Sequence, residues 1–294
     1  MQGCQLSLDE SLPAGMRRIA RVLVDGAIAS STTTGDPGSA IHDVRKRFKA
    51  LRALLRLLGS GIGDDGVRCE TLLRSMHHRL GSARDHEALC EALAALLDDP
   101  AVGARSQGAL ERLHASLRQA SDPVLVGRRL LYEIRPDLAA LRGMVVRWRF
   151  ARADFALVAP GLERTCRQVR RRSRQAQREG TDERCHDWRK SLKYLWFQLY
   201  VFEPVVGGSE LIEACRRAAT DLGADHDHAL LAGLAPAHLD PVAAQRAVAV
   251  LQAAGARRRA DAVATARPIC AMAPMELSAR IRRAWAARAI ALGE

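Results

Sequence analysis

The sequence predicts an all-α protein built as two tandem, pseudo-symmetric four-helix bundles. Three observations carry this. Long segments rich in Ala, Leu and Arg repeat their apolar residues with helical periodicity, and no convincing run of alternating β-branched residues interrupts them. Clusters of Gly, Pro, Asp and Ser divide these segments cleanly. Stretches of the first half recur, in the same order, in the second.

The elements follow in order. GMRRIARVLVDG (15–26) precedes the breaker SSTTTGDPGS at 30–39. IHDVRKRFKALRALLRLL begins at Ile41 and runs to GSGIGDDG at 59–66; DDP (98–100) and SDP (121–123) punctuate the rest of the first half. APG (159–161), EGTDE (179–183), EPVVGGS (203–209) and ARP (266–268) divide the second half. The segments between are expected to be helices of about 12 to 25 residues.

The repeat is visible residue by residue. CHDWRKSLKYLWFQLYVF from Cys185 matches the stretch from Ile41, so that His42, Asp43, Arg45, Lys46 and Lys49 align with His186, Asp187, Arg189, Lys190 and Lys193. LGSARDHEAL (80–89) aligns with LGADHDHALL (222–231), and GMRRIARVLVDG with GLERTCRQVRRR (161–172). This order implies a tandem duplication, with one bundle over residues 1–154 and the other over 155–294.

Lys and Arg number 45 against 33 Asp and Glu, a net charge of +12, which points to an anionic partner. Charge alone does not choose between nucleic acid, an anionic membrane surface and polyphosphate. Aromatic residues are only 4% of the chain, which weakens the case for single-stranded nucleic acid bound by stacking. The seven cysteines are scattered without a CxxC pair, arguing against a zinc ribbon or disulfide framework and for a reducing compartment. The start MQGCQLSLDE lacks the pattern of a signal peptide, and no uncharged apolar run suits a membrane span. A cytoplasmic protein with no membrane partner is expected.

On a helix, Val44, Phe48, Leu51, Leu55 and Leu58 form an apolar stripe. His42, Arg45, Lys49, Arg52 and Arg56 form a second stripe, with Lys46 at its edge. In the second half Trp188, Leu192, Leu195, Leu199 and Phe202 are apolar, while His186, Arg189 and Lys193 make the basic row, edged by Lys190. That row turns aromatic at Trp196 and Tyr200. Like charges at this spacing repel, and the face carries no acid at i+4, so a bound anion is the expected compensation. Arg18 and Arg21 align with Arg164 and Arg167, and Arg171, Arg174 and Arg178 prolong the second stripe. An asymmetric cleft is therefore expected, its second half charged more by the 164–178 helix than by the helix after it.

The His–Asp pairs at 42–43, 186–187 and 226–227 suggest a metal-dependent phosphohydrolase, but adjacent residues on a helix point about 100° apart and cannot both face one ion. No metal, no cofactor and no catalytic residue is expected.

At these residues the chain resembles the CHAD family, the conserved histidine α-helical domain. Its pattern, H-x-x-R-x-x-x-K-x-x-R followed by L-G-x-x-R-D and then repeated, is matched by IHDVRKRFKALR with LGSARD; CHDWRKSLKYLW with LGADHD matches with departures at Trp196 and His226. The resemblance runs from about Gly15 to Trp285. It implies two bundles facing a shared basic cleft, binding of inorganic polyphosphate, and association with polyphosphate granules and their proteins. It adds Arg84 and His226 to the expected site. Some relatives carry an N-terminal triphosphate-tunnel domain marked by E-x-E-x-K; that signature is absent, so a stand-alone domain is expected. Nucleic-acid binding stays open as the rival reading, with a phosphohydrolase or an adaptor behind it.

Overall fold

The structure, a computed structural model, describes residues 3–118, 123–207 and 210–291; side chains at 82–87, 104–105, 123–125 and 288–291 are outside the description. The described residues are helical, with no strand among them.

Local sequence sets the helix ends. The first pair is α1 (Leu12–Thr32) and α2 (Pro37–Leu58). Asp36 caps α2, accepting a hydrogen bond from the Ser39 backbone N–H at 2.7 Å, and Pro37 stands in its first turn, where its missing N–H costs nothing. Gly59 ends α2 with φ 54°, a conformation that favours glycine. Next come α3 (Asp64–Arg79), α4 (Ser82–Leu97), α5 (Ala104–Arg118), α6 (Pro123–Glu133) and α7 (Arg135–Arg147). In the second half α8 (Ala159–Glu179) ends at Gly180, φ 66°, and Thr181 caps α9 (Asp182–Val201) through the Arg184 N–H. A short α10 (Glu203–Val206) leads to α11 (Glu210–His238), α12 (Pro241–Ala271, capped by Asp240) and α13 (Pro274–Ala291).

Two of these helices exceed the expected length. α11 has 29 residues and α12 has 31. The breaker at 266–268 does not break α12: Pro268 costs the Ala264 carbonyl its intrahelical partner, and the helix runs only three residues beyond it.

The apolar stripes of α2 and α9 are buried as their periodicity requires, and the two helices pack against each other at the centre of the molecule. There the buried Gln198 of α9 donates from Nε2 to the Ala53 carbonyl of α2 at 3.0 Å. α8 crosses α2 at Gly161, where a Cβ would lie 1.9 Å from the Leu57 carbonyl oxygen; only glycine permits that approach.

The apolar packing does not part at residue 155. One cluster joins α1, α2, α3 and α7 to α8, α9, the first half of α11 and the end of α12. A second joins Leu89, Leu93 and Leu96 of α4 and Leu110, Leu113 and Leu117 of α5 to Leu231 of α11 and Ala247 and Leu251 of α12. Each cluster thus draws on both halves of the chain. The α4–α5 hairpin completes its core on the long α11–α12 hairpin, which the chain supplies more than a hundred residues later.

Candidate anion-binding cleft

Between α2, α9 and α11 lies a cleft of about 1960 Å³, closed on other sides by parts of α3, α4 and α12. From α2 it receives His42, Arg45, Lys46, Lys49, Arg52 and Arg56; from α9, His186, Arg189, Lys190 and Lys193; from α11, His226. The two rows, carried by separate helices, therefore share one hollow.

The row on α2 is not uncompensated along its length. Arg45 donates from Nη1 to the carbonyls of Leu80 (2.9 Å) and Gly81 (2.8 Å), just past the end of α3, where helix carbonyls attract a cation. Farther along, Arg52 donates to Glu70 Oε1 from Nε (3.1 Å) and Nη2 (2.8 Å). Arg56 stands 4.0 Å from the same oxygen, and its guanidinium lies over the Tyr194 ring, 4.6 Å from the centroid. The acid missing from α2's own face is supplied by α3, through tertiary packing.

On α9 the charges are more deeply set. Arg189 lies against Gly223 of α11, where a Cβ would come within 3.0 Å of its Nη2, so the glycine admits the guanidinium to the helix backbone. Burial pushes the Lys193 ammonium down to about 7, helped by Arg189 and by Lys49 from the opposite row, while Asp227 opposes the shift. Asp227, itself in the lining, is pushed up by burial against the pull of Arg189, His226 and Lys193. Lys190 is paired with Asp187 at 3.4 Å.

The imidazoles follow the same logic. His186 and His226 stack with ring centroids 4.5 Å apart. Burial holds His186 down to about 4, with Lys190, His226 and Arg189 adding to it, and burial lowers His226 too. His77 of α3 also lines the cleft and is held down to about 4 by burial and by Arg45, Lys49 and Arg52.

Other expected residues go elsewhere. Arg18 clamps the N-terminal segment, bonding to Glu10 (2.9 Å from Nε) and to the carbonyls of Gly3 (2.8 Å) and Gln5 (2.7 Å). Arg21, Arg164, Arg167, Arg171 and Arg174 are exposed outside the cleft lining. From α8 the cleft takes Arg172 instead, whose Nη1 donates to the Asp187 carbonyl at 3.2 Å. The second half's cleft charge accordingly comes from α9, not from the α8 stripe, reversing the expected asymmetry. The reason is that the buried face of α8 (Leu162, Thr165, Cys166, Val169, Ser173, Ala176) lies opposite that stripe. The Arg84 side chain is outside the described residues.

Arg216, Arg257 and Arg258 also join the lining, as does His228. Arg257 and Arg258 reach the cleft, while Arg259 turns inward to the buried Asp225, with contacts of 3.0 Å to each carboxylate oxygen, and to Asp182 at 2.9 Å. Among the described residues no three His, Cys, Asp or Glu side chains gather as a metal site requires, and no helix is long and apolar enough to cross a membrane.

The sequence matches the family model described as CHAD domain over residues 25–236. Among solved structures, the fold is similar to the crystal structure of the CHAD domain from the plant Ricinus communis, with a TM-score of 0.67 and 19% identity, covering 92% of this chain and 96% of that one. No curated protein matches the sequence.

Proposed function

As the chain belongs to the CHAD domain family, we propose that it binds inorganic polyphosphate in the cleft between α2, α9 and α11 and does not cleave it. One observation carries the reading. Lys49 from α2 and Arg189 and Lys193 from α9 line one hollow, where burial first, then Arg189 and Lys49, depress the Lys193 ammonium. Convergent cations, of which Arg189 and Lys193 are half-buried, are costly in the free protein and are relieved by an anion. Polyphosphate is a flexible chain carrying roughly one charge per unit and no bases. Arginines that fork onto phosphate oxygens and lysines acting as point charges suit it. His42, Lys46, Lys190, His186 and His226 line the same path. In the cell this activity places the protein on polyphosphate granules in the cytoplasm, alongside other granule-associated proteins.

The test is a competition assay at about 150 mM salt, near physiological ionic strength. Long-chain polyphosphate is set against single- and double-stranded nucleic acid, and phosphate release is followed in parallel. The expected result is preference for polyphosphate, a steep loss of affinity with salt, and no release. Lys49→Ala with Lys193→Ala should weaken binding several-fold or more. Equal affinity for nucleic acid, or an unchanged dissociation constant in the double variant, would overturn the reading.

A further inference from the structure

We propose that the outer face of α8 is a second polyphosphate track, separate from the cleft, so that one molecule holds two segments of polyphosphate and cross-links them. The inference rests on the cleft reading and goes beyond it to a second surface.

Arg164, Arg167, Arg171, Arg174 and Arg178 recur at i, i+3, i+7, i+10 and i+14, and all five are exposed. They form a line about 21 Å long at 1.5 Å per residue. The line points directly away from the buried side of α8. Arg170 and Arg172 bound it on its two flanks: Arg170 donates from Nε to the Cys270 carbonyl, and Arg172 turns to the cleft. The body of α8 and its contact with α9 therefore stand between this line and the hollow.

Among the described residues, carboxylates meet the line only near its ends. Glu163 is 3.7 Å from Arg167, and Glu179 is 2.7 Å from Arg178. Arg171 and Arg174, in the middle, have no acid beside them among the described residues. Like charges at these spacings destabilise a helix, and an extended anion laid along the face would relieve the repulsion. No residue from Arg164 to Arg178 is aromatic, so the face offers no platform for bases. A linear anion read by charge alone is the matching partner. With the cleft, the molecule then has two sites for one ligand, and long chains bridge molecules with the gain expected of bivalency.

The test uses the full chain with long and short polyphosphate. Three variants are compared with wild type: Arg171→Glu/Arg174→Glu on the track, Lys46→Glu/Lys49→Glu in the cleft, and Arg68→Glu/Arg246→Glu as a control of equal charge change at exposed sites elsewhere. Wild type and control should form light-scattering particles with long chains, strongest at intermediate ratios of chain to protein. The track variant should bind short chains within two-fold of wild type and lose at least ten-fold in scattering. The cleft variant should also lose scattering, and additionally lose short-chain affinity. Scattering by the track variant equal to wild type would overturn the second track and leave the cleft reading standing. Normal track-variant behaviour alongside a cleft variant that still binds short chains would overturn both. Clustering by duplex DNA or anionic vesicles as strong as by polyphosphate would overturn the choice of ligand.

Discussion

The imidazoles of His186 and His226 lie against each other across the α9–α11 contact, ring centroids 4.5 Å apart and planes tilted by 34°. Two rings this close resist joint protonation, and burial holds His186 neutral down to about 4. A phosphate oxygen nearby favours the charged form and raises that value. Binding therefore takes up protons, and affinity should rise several-fold between pH 7.5 and 5.5. Titration calorimetry in buffers of different ionisation heat measures the uptake directly. His186→Gln should reduce it, and an identical pH profile in that variant would count against the role.

Lys193 gives a prediction of stability. Its ammonium is held down to about 7 in the folded protein, mainly by burial, against an unfolded value of about 10.4. Between these values the unfolded chain binds the extra proton, so stability rises with pH from 7 toward 10 and the penalty is complete below 7. Lys193→Met should raise the thermal midpoint at pH 7, flatten that rise, and weaken polyphosphate binding. A midpoint below that of wild type at pH 7 would contradict it.

Glu70 acts as an internal anion at one end of the cleft, holding Arg52 at 2.8 Å with Arg56 at 4.0 Å. Neutralising it frees both guanidiniums for the ligand. Glu70→Gln should tighten polyphosphate binding by about three- to ten-fold, worth roughly 1 kcal/mol, and steepen its salt dependence. Filter-binding titrations across salt concentrations would show it.

Gly161 fixes the spacing of α8 and α2. A Cβ there meets the Leu57 carbonyl oxygen at 1.9 Å and the Arg56 oxygen at 2.7 Å, both backbone atoms that cannot swing aside. Gly161→Ala should cost about 3 kcal/mol, the upper part of the range for overpacking, read by urea unfolding. Gly108→Ala, at a site with nothing within 4 Å, is the control and should be neutral or mildly stabilising.

The sequence made some of this legible and hid the rest for physical reasons. Spacing alone placed His42, Arg45, Lys49, Arg52 and Arg56 on one face of α2, and the cleft collects that face. Spacing likewise grouped the arginines of α8, but periodicity says which residues share a face and not where the face looks; that is settled by the packing of Leu162, Cys166 and Val169. Glu70 and His77 were hidden because they reach the site from α3 by tertiary contact. The motif His226–Asp227 was visible, yet the stack on His186 depends on how α11 meets α9. The duplicated order suggested a clean seam near residue 155, and the shared cores cross it.

That crossing bears on how the protein is made. As the chain leaves the ribosome, Leu93, Leu110 and Leu113 emerge long before Leu231, Ala247 and Leu251, which cover them in the finished molecule. At roughly 5–20 residues per second, the α4–α5 hairpin waits several seconds with its apolar side open to water. A chain cut short near its midpoint lacks the residues that cover Leu93, Leu110 and Leu113.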